Sequence, residues 1–90
     1  MGITALKIKI LPESLDIDLI ELAKEIEKSL LKAGAVKINS ITEEPIAFGL
    51  KALIVFLAWP EDKETSEAEN AAKVYGVSST EIIDYRRAFG

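Results

Sequence analysis

Apolar and polar positions alternate from the start of the chain, with Leu6, Ile8 and Ile10 on one side and Lys7 and Lys9 on the other, which predicts a half-buried strand over Ile3 to Leu11. Pro12 lacks the N–H that a ladder needs and ends it. The run Glu13 to Asp18 offers Ser14, Asp16 and Asp18 as turn and capping residues. The period then changes: Leu19, Leu22, Ala23, Ile26 and Leu30 recur at helical spacing, Glu21 can close a capping box on Asp18, and Gly34 suits the end of a helix that runs to about Ala33. Val36 to Glu44 alternates more weakly, with Val36, Ile38 and Ser40 opposite Lys37, Asn39 and Ile41, as an edge strand would. Leu50 to Trp59 is apolar on both faces between Gly49 and Pro60, and reads as a central strand. Thr65 or Ser66 is placed to cap a second helix with Ala68, Ala71, Ala72 and Tyr75 as its thin apolar face and Gly76 at its end. Val77 to Tyr85 alternates again, a fourth strand that brings Arg86 and Arg87 close to the C-terminus.

The order β-α-β-β-α-β, with both helices burying a stripe on the same sheet face, predicts an α+β ferredoxin-like sandwich: four antiparallel strands, two helices on one side. Right-handed crossovers place the first and third strands in the middle, where the two most apolar strands belong. The 90 residues suit a single domain, 1–90, with no internal linker.

Composition narrows the chemistry. With no cysteine and no histidine, disulfides, thiolate metal sites and the commonest neutral-pH base are all excluded. A net charge of −4 argues against nucleic acid as the main partner, since phosphate binding needs a basic footprint. No apolar run approaches the ~20 residues that span a bilayer, and the N-terminus lacks a signal-peptide layout, so no membrane association and a cytoplasmic location are expected. Neither G-x-G-x-x-G nor a P-loop occurs, and the chain is not expected to hold a nucleotide or other cofactor itself.

One segment stands apart. Pro45-Ile46-Ala47-Phe48-Gly49-Leu50-Lys51 sets an apolar Ile-Ala-Phe where a hairpin connection is ordinarily polar, between a proline and a glycine that shape the backbone. Two readings stay open: Phe48 is held outward as an anchor for another protein, or it folds back to cap the core. Arg86 and Arg87 leave the last strand in opposite directions, so at most one faces the helix side, where its guanidinium could take a phosphate or carboxylate. The alternative for both is a solvated strand end. Lys7, Lys9 and Lys51 are expected to share the open sheet face, where an RNA-recognition domain would carry stacking aromatics; only Phe56 is available. The pairs Glu43/Glu44 and Glu61/Asp62 read as surface charge.

From Pro45 to Leu53 the chain resembles the elongation factor 1-beta family, whose members carry a similar proline, apolar, small, aromatic, glycine segment between strands two and three. The likeness extends to the opening Ala5–Pro12 strand, the Asp16-Ile17-Asp18-Leu19 helix start and Val77-Ser78-Ser79-Thr80-Glu81-Ile82, as in the archaeal members. It implies a translation factor that promotes exchange of GDP for GTP on elongation factor 1-alpha without covalent chemistry. It also implies that the aromatic, here Phe48, enters an apolar pocket of that GTPase, and that a basic residue near the C-terminus, Arg87 or its neighbour Arg86, approaches the magnesium and phosphate site. The implied partner-binding set is Pro45, Ile46, Phe48, Gly49, Lys51, Arg86 and Arg87. Eukaryotic members carry a lysine at the basic position; arginine keeps the charge but not the compact ammonium. The rivals lack their signatures: a small-molecule sensor or an acylphosphatase-like enzyme needs a glycine-bearing loop after strand one, where Pro12-Glu13-Ser14 stands, and an RNA-binding module needs the missing aromatics.

Overall fold

The computed structural model describes residues 2–88. Its elements are β1 (Ile3–Pro12), α1 (Leu19–Ala33), β2 (Lys37–Pro45), β3 (Lys51–Pro60), α2 (Thr65–Ala71) and β4 (Val77–Ala88). The four strands form one antiparallel sheet in the order β2-β3-β1-β4, and the helices pack on one face, as the ferredoxin-like pattern predicts.

The period-2 pattern of β1 has the expected result: Leu6, Ile8 and Ile10 are fully buried beside Leu53, Val55, Leu57 and Trp59 of β3. Leu22, Ile26 and Leu30 of α1 lie on the same core, with Ala68 and Ala72 from the second helical segment. Each large aliphatic side chain so buried contributes ~1.5–3 kcal/mol. Asp18 caps α1 by accepting from the N–H groups of Ile20 and Glu21, at 3.0 and 3.3 Å, while the Glu21 side chain turns to Lys24 rather than closing a capping box. Gly34, at φ 120°, ends the helix, and the Ala35 N–H closes back on the Leu30 carbonyl at 2.9 Å.

Three expectations change. The weak alternation of β2 comes from a bulge and not from edge position alone: Ile38 pairs with Leu57 and Ser40 with Phe56, leaving Asn39 over, so Ile38 and Ile41 both face the helices and Val36 precedes the strand. Helix α2 stops at Ala71 instead of Gly76, and its cap is Glu64, whose N–H donates to Glu67 Oε2 at 3.3 Å, not Thr65 or Ser66. The chain must reverse there to enter β4: the Val77 N–H reaches the Val74 carbonyl, and Gly76, at φ 97°, offers its carbonyl to the Glu13 N–H at 2.8 Å. Tyr75 therefore leaves the core and is 95% exposed. Lys51 belongs to the helix-facing register of β3 and pairs with Glu43 at 3.4 Å; of the three lysines expected on the open face, Lys7 and Lys9 keep it, with the Lys7 ammonium 5.7 Å from the Phe56 ring centre.

Trp59 ties the layers together. Its indole N–H donates to the Glu64 carbonyl at 3.2 Å, and Lys63 lies 5.6 Å from its ring centre while donating to the Ala33 carbonyl at the end of α1, at 2.7 Å.

Candidate functional site

The hairpin between β2 and β3 presents the ring. The Leu50 N–H reaches the Ala47 carbonyl at 3.0 Å, and the two residues between them, Phe48 and Gly49, both have positive φ, 57° and 80°. Positive φ at both central positions is the signature of a primed turn, whose twist matches that of the flanking strands. Glycine adopts it freely, whereas Phe48 is the only non-glycine residue in the left-handed region among the described residues, a conformation that costs an L-residue ~1–2 kcal/mol. The strained turn aims the ring outward, and Phe48 is 95% exposed. Of the two readings the sequence left open, folding back onto the core is the one the geometry rejects.

The residues around Phe48 extend the apolar tip. Ile46, whose N–H bonds to the Leu50 carbonyl at 2.9 Å, is 38% exposed, and Pro45 and Gly49 are exposed beside it. Leu15, from the loop between β1 and α1, is 65% exposed and stands against Gly49, with one methyl 3.6 Å from where a Cβ would be. Sequence reasoning missed Leu15, although its place between Ser14 and Asp16 in an otherwise polar turn was a usable signal. Tyr75 projects from the same end of the sheet, in the connection into β4. The base of the tip is charged, with Lys51 paired to Glu43 at 3.4 Å and Glu44 exposed next to Pro45.

Arg86 and Arg87 lie at the other end. In the register of β4, Arg87 is opposite Thr4 and Arg86 opposite Ala5, near the start of β1, while the hairpin joins strands level with its finish. From Thr4 to Pro12 the rise is roughly 26 Å, at about 3.3 Å per strand residue. The expected set of seven residues is thus two sets: Pro45, Ile46, Phe48, Gly49 and Lys51 at one pole, Arg86 and Arg87 at the opposite one. The two arginines also diverge as the strand period requires. Thr4 is buried on the helix side, so Arg87 emerges on that side, and Arg86 on the open face. Arg87 Nη2 donates to Glu61 Oε1 at 2.8 Å, the shortest ion pair among the described residues, whereas Arg86 Nε lies 3.5 Å from Asp84 Oδ2 of its own strand. By sequence Glu61 reads as surface charge; a bond between residues 26 apart in sequence has no local signal.

Among the described residues no group of three or more acidic side chains is placed to hold a metal, and no helix is long and apolar enough to cross a membrane. The surface exposes an aromatic ring at one pole and carries two guanidinium groups at the other.

Residues 5–87 match the family described as "EF-1 guanine nucleotide exchange domain". The chain is 53% identical over 89 residues to the elongation factor 1-beta of Methanosarcina barkeri, covering 97% of this chain and 99% of that protein. It is 40% identical over 89 residues to its namesake in Methanothermobacter thermautotrophicus, covering 97% and 98%. The elongation factor 1-beta of Sulfolobus acidocaldarius is 39% identical over 83 residues, covering 89% and 90%.

Proposed function

We infer the function from one premise: the chain belongs to the family of EF-1 guanine nucleotide exchange domains. Its role is guanine-nucleotide exchange in translation elongation. The partner we propose is elongation factor 1-alpha, from which the single domain, residues 1–90, releases GDP so that GTP can replace it. The observation that carries the site assignment is Phe48, held outward at φ 57° and 95% exposed at the tip of a hydrogen-bonded hairpin.

A ring so placed gains nothing in the free domain and gains its full burial on docking, ~1.5–3 kcal/mol, without ordering a flexible loop first. Pro45, Ile46, Gly49 and Lys51 surround it as the rim of the contact. At the other pole Arg86 and Arg87 act on the phosphate and magnesium region of the GTPase, where a guanidinium competes for the oxygens that the metal and the protein otherwise hold. A partner gripped at both poles must span the roughly 26 Å between them, so binding here can separate the surfaces that enclose the nucleotide.

No covalent step is needed. A factor that binds the nucleotide-free GTPase more tightly than the loaded form weakens nucleotide binding by the same factor, because coupling between two sites is reciprocal. A thousandfold faster release corresponds to a dissociation barrier lower by roughly 4 kcal/mol, within reach of one buried aromatic anchor together with the loss of a metal or phosphate contact. The test is stopped-flow release of a fluorescent GDP analogue from elongation factor 1-alpha, with and without this protein. Release that is no faster with the protein present refutes the partner assignment.

A further inference from the structure

We propose that Glu61 is a positioning residue for Arg87, and that this makes Arg87 rather than Arg86 the principal cation at the phosphate end of the partner; the inference rests on the exchange mechanism proposed above. Three observations support it. The Glu61 backbone is held at the end of the sheet: it directly follows β3 and its N–H donates to the Gly2 carbonyl at 3.1 Å, while its carboxylate lies in the space that a side chain on residue 2 would take, so a Cβ built on Gly2 collides with it. Its side chain is 34% exposed, against 71% for that of Arg87, so Glu61 is the more covered member of the pair. The pair also bridges the start of β1, since Ile3 is opposite Pro60 on one side and Ala88 on the other, so the guanidinium is held at the pole itself.

Arg86 is placed differently. Its contact, Asp84, lies two residues earlier in the same strand, so the attraction draws the side chain back along the open face, away from the end of the sheet. Among the described residues Arg87 makes one hydrogen bond, from Nη2 to Glu61, and a guanidinium carries five N–H donors, so the contact does not use up its capacity for an oxyanion. A free arginine spreads over many rotamers and must be ordered when it binds, and a side chain already restrained by an acceptor loses less freedom at that moment.

The experiment is GDP release from elongation factor 1-alpha at saturating concentrations of this protein and across a titration of it. Glu61→Ala is expected to slow the maximal release rate about two- to fivefold, the range that an exposed ion pair supports, and to leave the half-saturating concentration within about twofold. Glu61→Gln keeps an acceptor oxygen and is expected to retain most of the rate. Gly2→Ala, whose methyl group displaces the carboxylate, is expected to resemble Glu61→Ala at an unchanged melting temperature. Arg87→Ala is expected to slow release more than Arg86→Ala, and adding Glu61→Ala to Arg87→Ala is expected to change nothing further. The proposal is overturned by a Glu61→Ala rate equal to or above the parent's, by slowing that persists in the Arg87→Ala background, or by a larger effect at Arg86. Should Arg87→Ala release GDP at the parent rate, the role of Arg87 itself falls and that of Glu61 with it; slowing in Arg87→Ala without slowing in Glu61→Ala refutes only the positioning.

Discussion

Replacing Phe48 by alanine and, separately, by glycine divides what the ring does from what its backbone costs. The ring is 95% exposed, so truncating it removes almost no intramolecular contact, and Phe48→Ala is expected to shift stability by no more than ~0.5 kcal/mol, the range of an ordinary surface change. Alanine inherits the strain of φ 57°. Glycine relieves the ~1–2 kcal/mol of that strain but adds ~0.5–1 kcal/mol of unfolded-chain entropy, so Phe48→Gly should be the more stable of the two by ~0.5–1 kcal/mol. For a domain of this size that is about 2–8 °C in melting temperature, readable by calorimetry. On docking, both variants lose the burial of the ring, ~1.5–3 kcal/mol, or roughly ten- to hundredfold in affinity for the nucleotide-free GTPase. The expected result is a stability order of glycine above alanine with both equally poor in exchange. A melting temperature for Phe48→Ala more than ~5 °C below the parent's shows the ring to be packed in solution, and undiminished GDP release shows that it is no anchor; either outcome refutes the reasoning.

Ile26→Ala empties a fully buried position where α1 meets the sheet, and should cost ~2–5 kcal/mol by denaturant titration while leaving the exchange rate of the still-folded fraction unchanged. Lys63→Met keeps much of the side chain over Trp59 but removes the 2.7 Å bond to the Ala33 carbonyl, and should lower stability by ~1–2 kcal/mol with the loss expressed as earlier fraying of the end of α1 in hydrogen exchange. Deleting Asn39 restores regular pairing with Ile38 and Ile41 still facing inward, so the domain should fold with a loss of ~1 kcal/mol or less; a loss of ~3 kcal/mol or more contradicts the register described for β2. The double variant Arg86→Ala with Arg87→Ala should slow GDP release more than it weakens binding, as measured by titration of the release rate.

Where neighbours in sequence decide the structure, the pattern of residues was enough. The alternation of Leu6, Ile8 and Ile10 and the spacing from Leu22 to Leu30 carry their own periods, and the Asp18 and Gly34 ends depend on atoms within one turn. Where a partner strand decides, it was not. Asn39 becomes the extra residue of a bulge only by pairing with β3, and Tyr75 keeps helical spacing to Ala68 and Ala71 although the chain has already turned toward β4. The site divides along the same line. The outward aim of Phe48 follows from two adjacent backbone angles that the Phe48-Gly49 pair hints at, and the family resemblance points the same way. The separation of Phe48 from Arg87, and the bond from Arg87 to Glu61, are properties of sheet order and strand direction that neither segment contains.

Strand β1 runs from one candidate contact region to the other, and it is hydrogen-bonded along its length to β3 on one side and β4 on the other. Both of its ends are held by these ladders, and the pairing with β4 continues through register shifts at Lys7/Ile8 and Leu11/Pro12. A body built this way behaves as a caliper with fixed jaws: the gap between aromatic tip and guanidinium is set when the domain folds. On the exchange mechanism proposed above, the change of shape that accompanies nucleotide release falls to the GTPase, whose two surfaces must come to this spacing before both jaws engage.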